Sequence, residues 1–520
     1  MPSPEAPRAD DRLSAQARKS LVVVVVLIAA ALALTLPAAL SSPRLNDSFW
    51  IDWVWLDQFA RELASGHPYP RWLAQSHGGL GAPDFYYYPP VAFYIGALFV
   101  FAGLSTYAAL IATFLFGYLL SGAATYAWLK NEAPRPLLGA LVAMAAPYHA
   151  LNFYIRGALA EFIATAMLPL VMLGLRRLSR GERGGWAIIA VTYGLLIATH
   201  LPLALLASIF LFGPYALWLT RNRPSTLVAA GAAFAAGIAL AAIYLVPALA
   251  LEPYRDAAKL WQNPMLQPGN WSLWDPAFWT RHNYDGVLLI AATLGIPLLV
   301  LTFRRSGWAF FGLVCLLIGI GAVPLIWSVP LLSSVQFPFR LLPVAELALA
   351  AAIAFATIRP LFVAVACLPL LLVTGQIATA APGRESVSFA ELRSAHPDVP
   401  ENLPPGERPY SWPSRWALEI ARSHRQPETT GGITVEPVFY FPSWQVRCGG
   451  SDAPTFADAE TKLLAYRGSG CERRLGWTAA ERAGAAISVA ALLVLFGSLL
   501  ASWLRVRSRQ RKGWGGKTGS

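Results

Sequence analysis

Charge is what this sequence has least of. Asp, Glu, Lys and Arg make up 13% of its 520 residues, about half the roughly 25% of a soluble domain. That is too little to coat the three or four soluble domains the length would suggest at about 150 residues each. Cysteine is scarce as well, with four in the chain, which excludes a disulfide-stapled secreted scaffold. The seven histidines (His67, His77, His149, His200, His282, His396, His424) are scattered, with no HExxH or Cys/His spacing, so the sequence has no metal-binding signature. A phosphate-binding loop is missing too. Gly516-Lys517-Thr518 imitates the end of one, but Arg511 stands where the first glycine belongs and no strand precedes it. No internal repeat or duplicated halves of transporter type are visible.

Apolar residues fill the space. They make up 56% of the chain, and the mean hydropathy is +0.48. This excludes disorder for most of the chain and fits a polytopic membrane protein with one modest soluble part. The net charge is +12, from 41 Lys and Arg against 29 Asp and Glu. The basic residues form short clusters between apolar runs: Arg8, Arg12, Arg18 and Lys19; Arg176, Arg177, Arg180 and Arg183; Arg221 and Arg223; Arg304 and Arg305; and a tail from Arg505 to Lys512. That is the positive-inside pattern of cytoplasmic loops. It names the lipid bilayer as a partner and argues against nucleic acid.

The first apolar run, Leu21–Leu40, exceeds the 7–15 residues of a signal-peptide core and reads as an uncleaved first helix. Further spans are expected near Val91–Trp128, Leu137–Leu151, Ala158–Leu175, Trp186–Thr199, Leu201–Leu219, Leu227–Leu251, Val287–Phe303, Trp308–Trp327, Leu341–Thr357, Leu361–Ile377 and Ala485–Leu504. As one helix Val91–Trp128 would be about 57 Å long, too long for one crossing. Two crossings there would invert everything downstream, so one crossing plus a partial, re-entrant or interfacial helix is expected. The fold class is therefore an all-α polytopic membrane protein of about 12 crossings and roughly 13 helices, with a small external α+β domain near the C-terminus. The boundaries read as a cytoplasmic tail 1–20, a transmembrane domain 21–380 with a first external loop 41–90, an external soluble domain 381–482, a last helix 483–504 and a basic cytoplasmic tail 505–520. Both termini are cytoplasmic in this scheme.

The external segments carry the unusual sequence. The first loop is rich in Trp, Tyr, Asp and Gly, and Glu252–Asp285 holds Trp261, Trp271, Trp274 and Trp279. In 381–482, Gly432–Val446 has strand character, and Arg384–Arg425 reads as loop with short helix. Cys448 and Cys471 both fall there, and an oxidising compartment would join them. Cys315 and Cys367 lie in apolar spans and read as small core residues.

Ser48 is placed to cap a helix from about Phe49 to Ala64. On it Asp52, Leu56, Phe59 and Leu63 share a stripe, while Asp57 and Arg61 pair at i, i+4 on another face. A carboxylate on the apolar stripe must face a pocket or the membrane surface. Asp47 and Asp52 are thus candidates for a general base and a metal or donor ligand; the bland alternative is a helix-start charge and an Arg-paired acid. Arg71 is a candidate phosphate ligand with Asp84 as its partner. At least two of Tyr86, Tyr87 and Tyr88 read as an interfacial aromatic belt. Arg156, Glu161, His200 and Arg340 lie in or beside apolar spans, and all four map to the external side. Ionisable groups at such depth line functional cavities; the alternative is a structural Arg156–Glu161 pair with a hydrogen-bonded His200. Glu346 follows within the next span.

The order of these motifs resembles a known family. The acidic pair after the first span, Gly66-x-Pro-Tyr-Pro-Arg71-Trp72, Gly79-x-Gly81-x-Pro83-x-Phe85 and Tyr88-Pro89-Pro90 are similar to those of 6-pyruvoyl-tetrahydropterin synthase-related polytopic membrane proteins. Tyr154-x-Arg156-Gly157-Ala158-x-Ala160-Glu161, His200-x-Pro202, Gln336-Phe337-Pro338-Phe339-Arg340 and Tyr440-Phe441-Pro442-x-Trp444 match the same pattern. Those proteins resemble the GT-C superfamily of membrane glycosyltransferases. The pterin-synthase name itself is set aside, because the sequence lacks that enzyme's His-rich zinc site.

The resemblance implies a polyprenyl-phosphate-linked sugar as donor and an acidic residue of the first external loop as base or metal ligand. That role falls on Asp47 or Asp52. Relatives carry a His near position 52 where this chain has Asp, which leaves the choice between the two open. Arg71 and Arg340 would hold the lipid phosphate, and the Trp-rich loop and external domain would stack on sugar or acceptor. No cofactor is required by the sequence; a divalent metal ion remains an option. The expected function is transfer of a sugar to an envelope glycan, lipid or protein acceptor outside the bacterial inner membrane. The alternative is a non-catalytic transporter or assembly factor for envelope glycoconjugates.

Overall fold

In a bilayer the backbone must satisfy its own hydrogen bonds, so apolar runs fold as helices. The computed structural model describes residues 9–41, 48–275, 284–357, 360–380, 388–406, 411 and 413–514. Among these residues eight helices are long and apolar enough to cross a membrane, nine if Pro224–Leu240 and Ala242–Ala250, bent by 66°, form one span. Four shorter apolar helices, Val91–Phe101, Gly185–Ile197, Gly307–Gly319 and Leu368–Thr379, bring the apolar elements to thirteen. The full-length spans are fewer than the expected 12 because several runs break early. Gly307–Gly319 stops before Gly321 and Pro324, and Gly185–Ile197 stops before His200-Leu201-Pro202. A 13-residue helix covers about 20 Å, short of a hydrocarbon core of about 30 Å.

The long run 91–128 divides as expected into a short helix, Val91–Phe101, and a full one, Thr106–Leu129. Ser105 starts the second by accepting the Ala108 N–H, a side-chain cap. Small residues let other helices approach closely. A Cβ on Gly194 would meet the Gly237 carbonyl oxygen at 2.9 Å, so the helices Gly185–Ile197 and Pro224–Leu240 touch backbone to backbone.

The first-loop helix runs Phe49–Ala64. Its stripe is as expected, with Asp52, Leu56 and Phe59 buried and Leu63 half-buried. Asp57 pairs with Arg61 at 2.9 Å. The expected cap differs: Ser48 has helical backbone angles and its side chain caps nothing. Its N–H donates instead to the Arg156 carbonyl at 2.7 Å, tying the loop to a distant turn.

The C-terminal region has two short helices, Phe389–Ser394 and Arg415–Ser423, and seven strands: β1 (Glu428–Thr430), β2 (Ile433–Phe439), β3 (Trp444–Cys448), β4 (Ser451–Ala453), β5 (Thr455–Ala457), β6 (Leu463–Arg467) and β7 (Glu472–Leu475). They form antiparallel sheets of order β1-β2-β6-β5 and β4-β3-β7. Cys448 and Cys471 are joined as a disulfide across β3 and the start of β7. Cys315 is buried in its span; the Cys367 side chain lies outside the described residues. The sheets do not stand apart. Trp72, Leu80, Tyr86 and Tyr87 of the first loop share one core with Phe439, Phe441 and Tyr466, and the Phe439 N–H donates to the Leu80 carbonyl at 2.9 Å.

That core corrects one expectation. Tyr86 and Tyr87 are not a membrane-surface belt. The Tyr86 hydroxyl lies 2.5 Å from that of Ser443, and the Tyr87 hydroxyl donates to the Leu251 carbonyl at 2.6 Å. Buried tyrosines keep their hydroxyls paired, and here the pairing fastens the first loop to the sheets.

Candidate functional site

One turn assembles most of the site. The helix Pro147–Tyr154 ends, the chain reverses at Gly157, and Leu159–Ser179 begins. Gly157 has φ +60°, and a Cβ there would lie 2.4 Å from Phe49, so only glycine permits both the turn and the close approach of the first-loop helix. The reversal makes Arg156 and Glu161 face each other, with Arg156 Nη1 2.9 Å from Glu161 Oε2.

Glu161 is almost fully buried, 1% exposed, and collects partners from four elements. Its Oε1 accepts from the Tyr148 hydroxyl at 2.6 Å. Arg340 Nε and His200 Nε2 stand 3.5 Å and 3.9 Å from Oε2. His200 is oriented by its other nitrogen, which accepts the Leu203 N–H at 3.2 Å. Arg156 Nη1 also donates to Asn152 Oδ1 at 2.7 Å and to the Tyr148 hydroxyl at 2.9 Å. The two guanidinium groups lie against aromatic faces: Arg156 over Phe339 at 5.4 Å and Arg340 over Phe337 at 5.1 Å. Trp271, from the Trp-rich loop, packs edge-on to both phenylalanines. Two guanidinium groups thus share one carboxylate, and among the described residues Arg156, Arg340 and Glu161 sum to a net positive charge before His200 is counted.

Asp52 sits beside this cluster. It is 2% exposed and its Oδ2 accepts the Leu159 N–H at 3.2 Å, two residues from Glu161. No cation pairs with it among the described residues, so the Arg-paired alternative does not hold. Burial pushes its carboxyl well above the ordinary carboxylate range, and the Leu159 N–H pulls only part of the way back. The Tyr88 phenol joins the two groups electrostatically. Burial pushes it well up, and it feels Asp52, Arg340, Glu161 and Arg156.

Three expected site residues lie elsewhere or outside view. Arg71 pairs with Glu481 at the start of the last helix and stacks on Trp477 at 4.8 Å and Tyr86 at 5.3 Å. Asp84 is not its partner. The Asp84 carboxylate accepts from Asn402 Nδ2 at 2.9 Å and the Ser76 hydroxyl at 3.2 Å. Burial, with Asp398 and Glu401 nearby, pushes its carboxyl up to about 7. Both residues serve the junction of loop and sheets, which spacing along the chain could not reveal. Asp47 lies outside the described residues. No group of three or more His, Cys, Asp or Glu that could hold a metal is found among the described residues. Asp52 alone does not make a metal set, so no step is drawn through one.

Sequence reading missed Tyr148, Asn152 and Tyr88. The first two had a signal: with Arg156 they are spaced by four, as on one helical face. Tyr88 stood in the Tyr88-Pro89-Pro90 motif, but its neighbours Tyr86 and Tyr87 gave it the look of an aromatic belt. Glu346, noted as the exception in the sequence, accepts the Tyr148 N–H at 2.6 Å. It holds the start of the helix that presents Tyr148 and Asn152.

The class this defines is a polytopic helical membrane protein with a small antiparallel sheet region and a buried Arg–Glu–His cluster beside a buried carboxyl that has no cation partner among the described residues. Residues 85–383 match the family described as 6-pyruvoyl-tetrahydropterin synthase related domain, membrane protein. The chain belongs to that family. None of the curated proteins matches the sequence. Among solved structures it is similar to the arabinofuranosyltransferase AftD from Mycobacteria, at 17% identity and a TM-score of 0.43 over 69% of this chain and 26% of that one. A mutant of AftD gives 18% and 0.45 over 69% and 27%. The chain therefore spans about a quarter of the length of AftD.

Proposed function

We propose that this protein is a membrane glycosyltransferase that moves a sugar from a polyprenyl-phosphate donor to a hydroxyl of an envelope glycan, lipid or protein on the external face of a bacterial inner membrane. The observation that carries the reading is the juxtaposition of an unpaired buried carboxyl, Asp52, with two guanidinium groups that share one carboxylate. Transfer needs those two functions. Asp52 takes the proton of the acceptor hydroxyl, whose oxygen bonds to the anomeric carbon. The bond from that carbon to the phosphate oxygen breaks, and the lipid phosphate leaves with the electron pair. Arg340 and Arg156 stabilise the charge that develops there. Burial suits Asp52 to the role, because a raised carboxyl is a stronger base once ionised. Attack opposite the leaving phosphate gives inversion. Trp271, Phe337 and Phe339 offer aromatic faces to the sugar or the prenyl chain.

The test compares envelope glycolipids and polysaccharides by mass spectrometry in a deletion strain, in the deletion carrying the wild type, and in the deletion carrying Asp52→Asn. A sugar unit should be missing in the deletion and restored by the wild type. Asp52→Asn, at normal protein level, should lower its formation by about 10²–10⁴, the range of a lost general base. Full restoration by Asp52→Asn would overturn the assignment of the base, and restoration by Asp47→Asn together with Asp52→Asn would overturn catalysis.

A further inference from the structure

The opposite end of the same helix carries a second constellation that the proposed reaction does not use. Arg176 follows Glu161 by 15 residues, about 22 Å along a helix. There Glu132 pairs with both Arg176 and Arg180, and Glu132 and Arg176 line a cavity of about 580 Å³. That volume lies within the roughly 300–1,000 Å³ of small-molecule sites. Its wall is aromatic, with Tyr215, Trp218, Trp308 and Phe311.

We propose that this cavity seats one anionic phospholipid of the adjoining leaflet, its phosphate at Arg176 and Tyr215, with Arg180 next to them through Glu132, and an acyl chain along the aromatic wall. Three observations point to that ligand. The first is an unused donor. The Tyr215 hydroxyl is buried, 5% exposed, and accepts from Arg176 Nε at 3.0 Å and Trp128 Nε1 at 3.2 Å. Both lone pairs are thereby occupied, and its own hydrogen has no acceptor among the described residues. A phosphate oxygen at the cavity wall would supply one. The second is charge. Arg176, Arg177 and Arg180 face two carboxylates, Glu132 and Glu182, which leaves a net positive charge, and Arg183, Arg221, Arg223, Arg304 and Arg305 lie in turns after apolar helices. A basic pocket between membrane helices suits an anionic head group. The third is access. Leu217, Trp218 and Phe310 beside the cavity are 57%, 55% and 59% exposed, on apolar helices whose outer surface lipid would cover.

The test is native mass spectrometry of the full chain in detergent, titrated with dioleoyl phosphatidylglycerol, dioleoyl phosphatidylcholine, farnesyl phosphate or inorganic phosphate. One phosphatidylglycerol per chain should bind at least about fivefold more tightly than phosphatidylcholine, the worth of one nearby Arg. Arg180→Gln should remove about that factor for phosphatidylglycerol alone, and Trp218→Ala should weaken both lipids. Both side chains are about half exposed, so the fold tolerates the changes; unchanged melting temperatures check this. Glu132→Gln should tighten phosphatidylglycerol, because it removes the carboxylate that lines the cavity beside Arg176. Equal affinity for the two lipids, no effect of Arg180→Gln, tighter binding of farnesyl phosphate, or inorganic phosphate binding as well as phosphatidylglycerol would each overturn the proposal.

Discussion

The two ends of Leu159–Ser179 hold the same charge arithmetic in different settings. At one end Glu161 lies between Arg156 and Arg340; at the other Glu132 lies between Arg176 and Arg180. The Glu161 side chain is 1% exposed, and Tyr148, Asn152 and His200 close around it. The Glu132 side chain is 13% exposed and Arg180 is 45% exposed, beside an open cavity. An ion pair held by further hydrogen bonds is fixed in one geometry, preorganised for charge that develops beside it. One left partly open keeps its charge available to a ligand. The difference lies in the packing around the groups, and charge count alone does not reveal it.

The largest expected effect breaks the sealed end. Glu161→Gln keeps the shape and some hydrogen bonds but removes the carboxylate that two nearly buried guanidinium groups share. Removing one partner of a buried ion pair costs about 3–5 kcal/mol. Thermal unfolding in detergent should show a large drop in melting temperature, and any transfer activity should vanish with it. A change of only a degree or two would mean that water reaches the cluster and screens it.

Asp84 sharpens the comparison as a buried carboxyl with no cation at all among its partners. Its folded pKa, about 7, lies above the ordinary 3.8. Between those two values the unfolded chain loses the proton while the folded chain keeps it. Stability therefore falls as pH rises through that window, by about 1.4 kcal/mol per pH unit for this one group, and levels off above about 7. Asp84→Asn should flatten that slope in melting curves taken from pH 5 to pH 8. Parallel curves for the two proteins would show that Asp84 ionises in the fold like an exposed acid.

These contrasts explain what the sequence could and could not tell. Apolar runs and basic clusters made the helical membrane architecture legible, and even the division of 91–128 followed from its length. The convergence of Arg156, Glu161, His200 and Arg340 was legible too, because each stood out as ionisable in an apolar setting. The partner of Arg71 was not. Glu481 is about 400 positions away in the chain, and nothing local marks it. Asp84 was misassigned for the same reason, since its partner Asn402 is 318 positions away in the chain. The broken helices were only half legible: Gly321 and Pro324 were visible, but the early stop of Gly307–Gly319 depends on Trp271 packing against that turn. A Cβ on Gly321 would meet the Trp271 carbonyl.

The smallest expected effect completes the comparison at the open end. Glu132→Gln removes one anion from Arg176 and Arg180, as Glu161→Gln does from Arg156 and Arg340. Here the cavity admits water or a lipid phosphate, and Arg180 is already 45% exposed. The Arg180 pair is partly exposed, worth about 0–1 kcal/mol, while the Arg176 pair is nearly buried, its side chains 9% and 13% exposed, so the melting temperature should fall, but less than for Glu161→Gln. The Tyr215 hydroxyl still holds Arg176 by its Nε, which limits any local rearrangement. Equal destabilisation by Glu132→Gln and Glu161→Gln would show that the two ends are built alike after all, and that the cavity beside Glu132 is closed to solvent. A smaller loss at Glu132 than at Glu161 would show that one charge pattern serves both ends of the helix, once as a rigid, preorganised cluster beside Asp52 and once as a looser one beside a cavity.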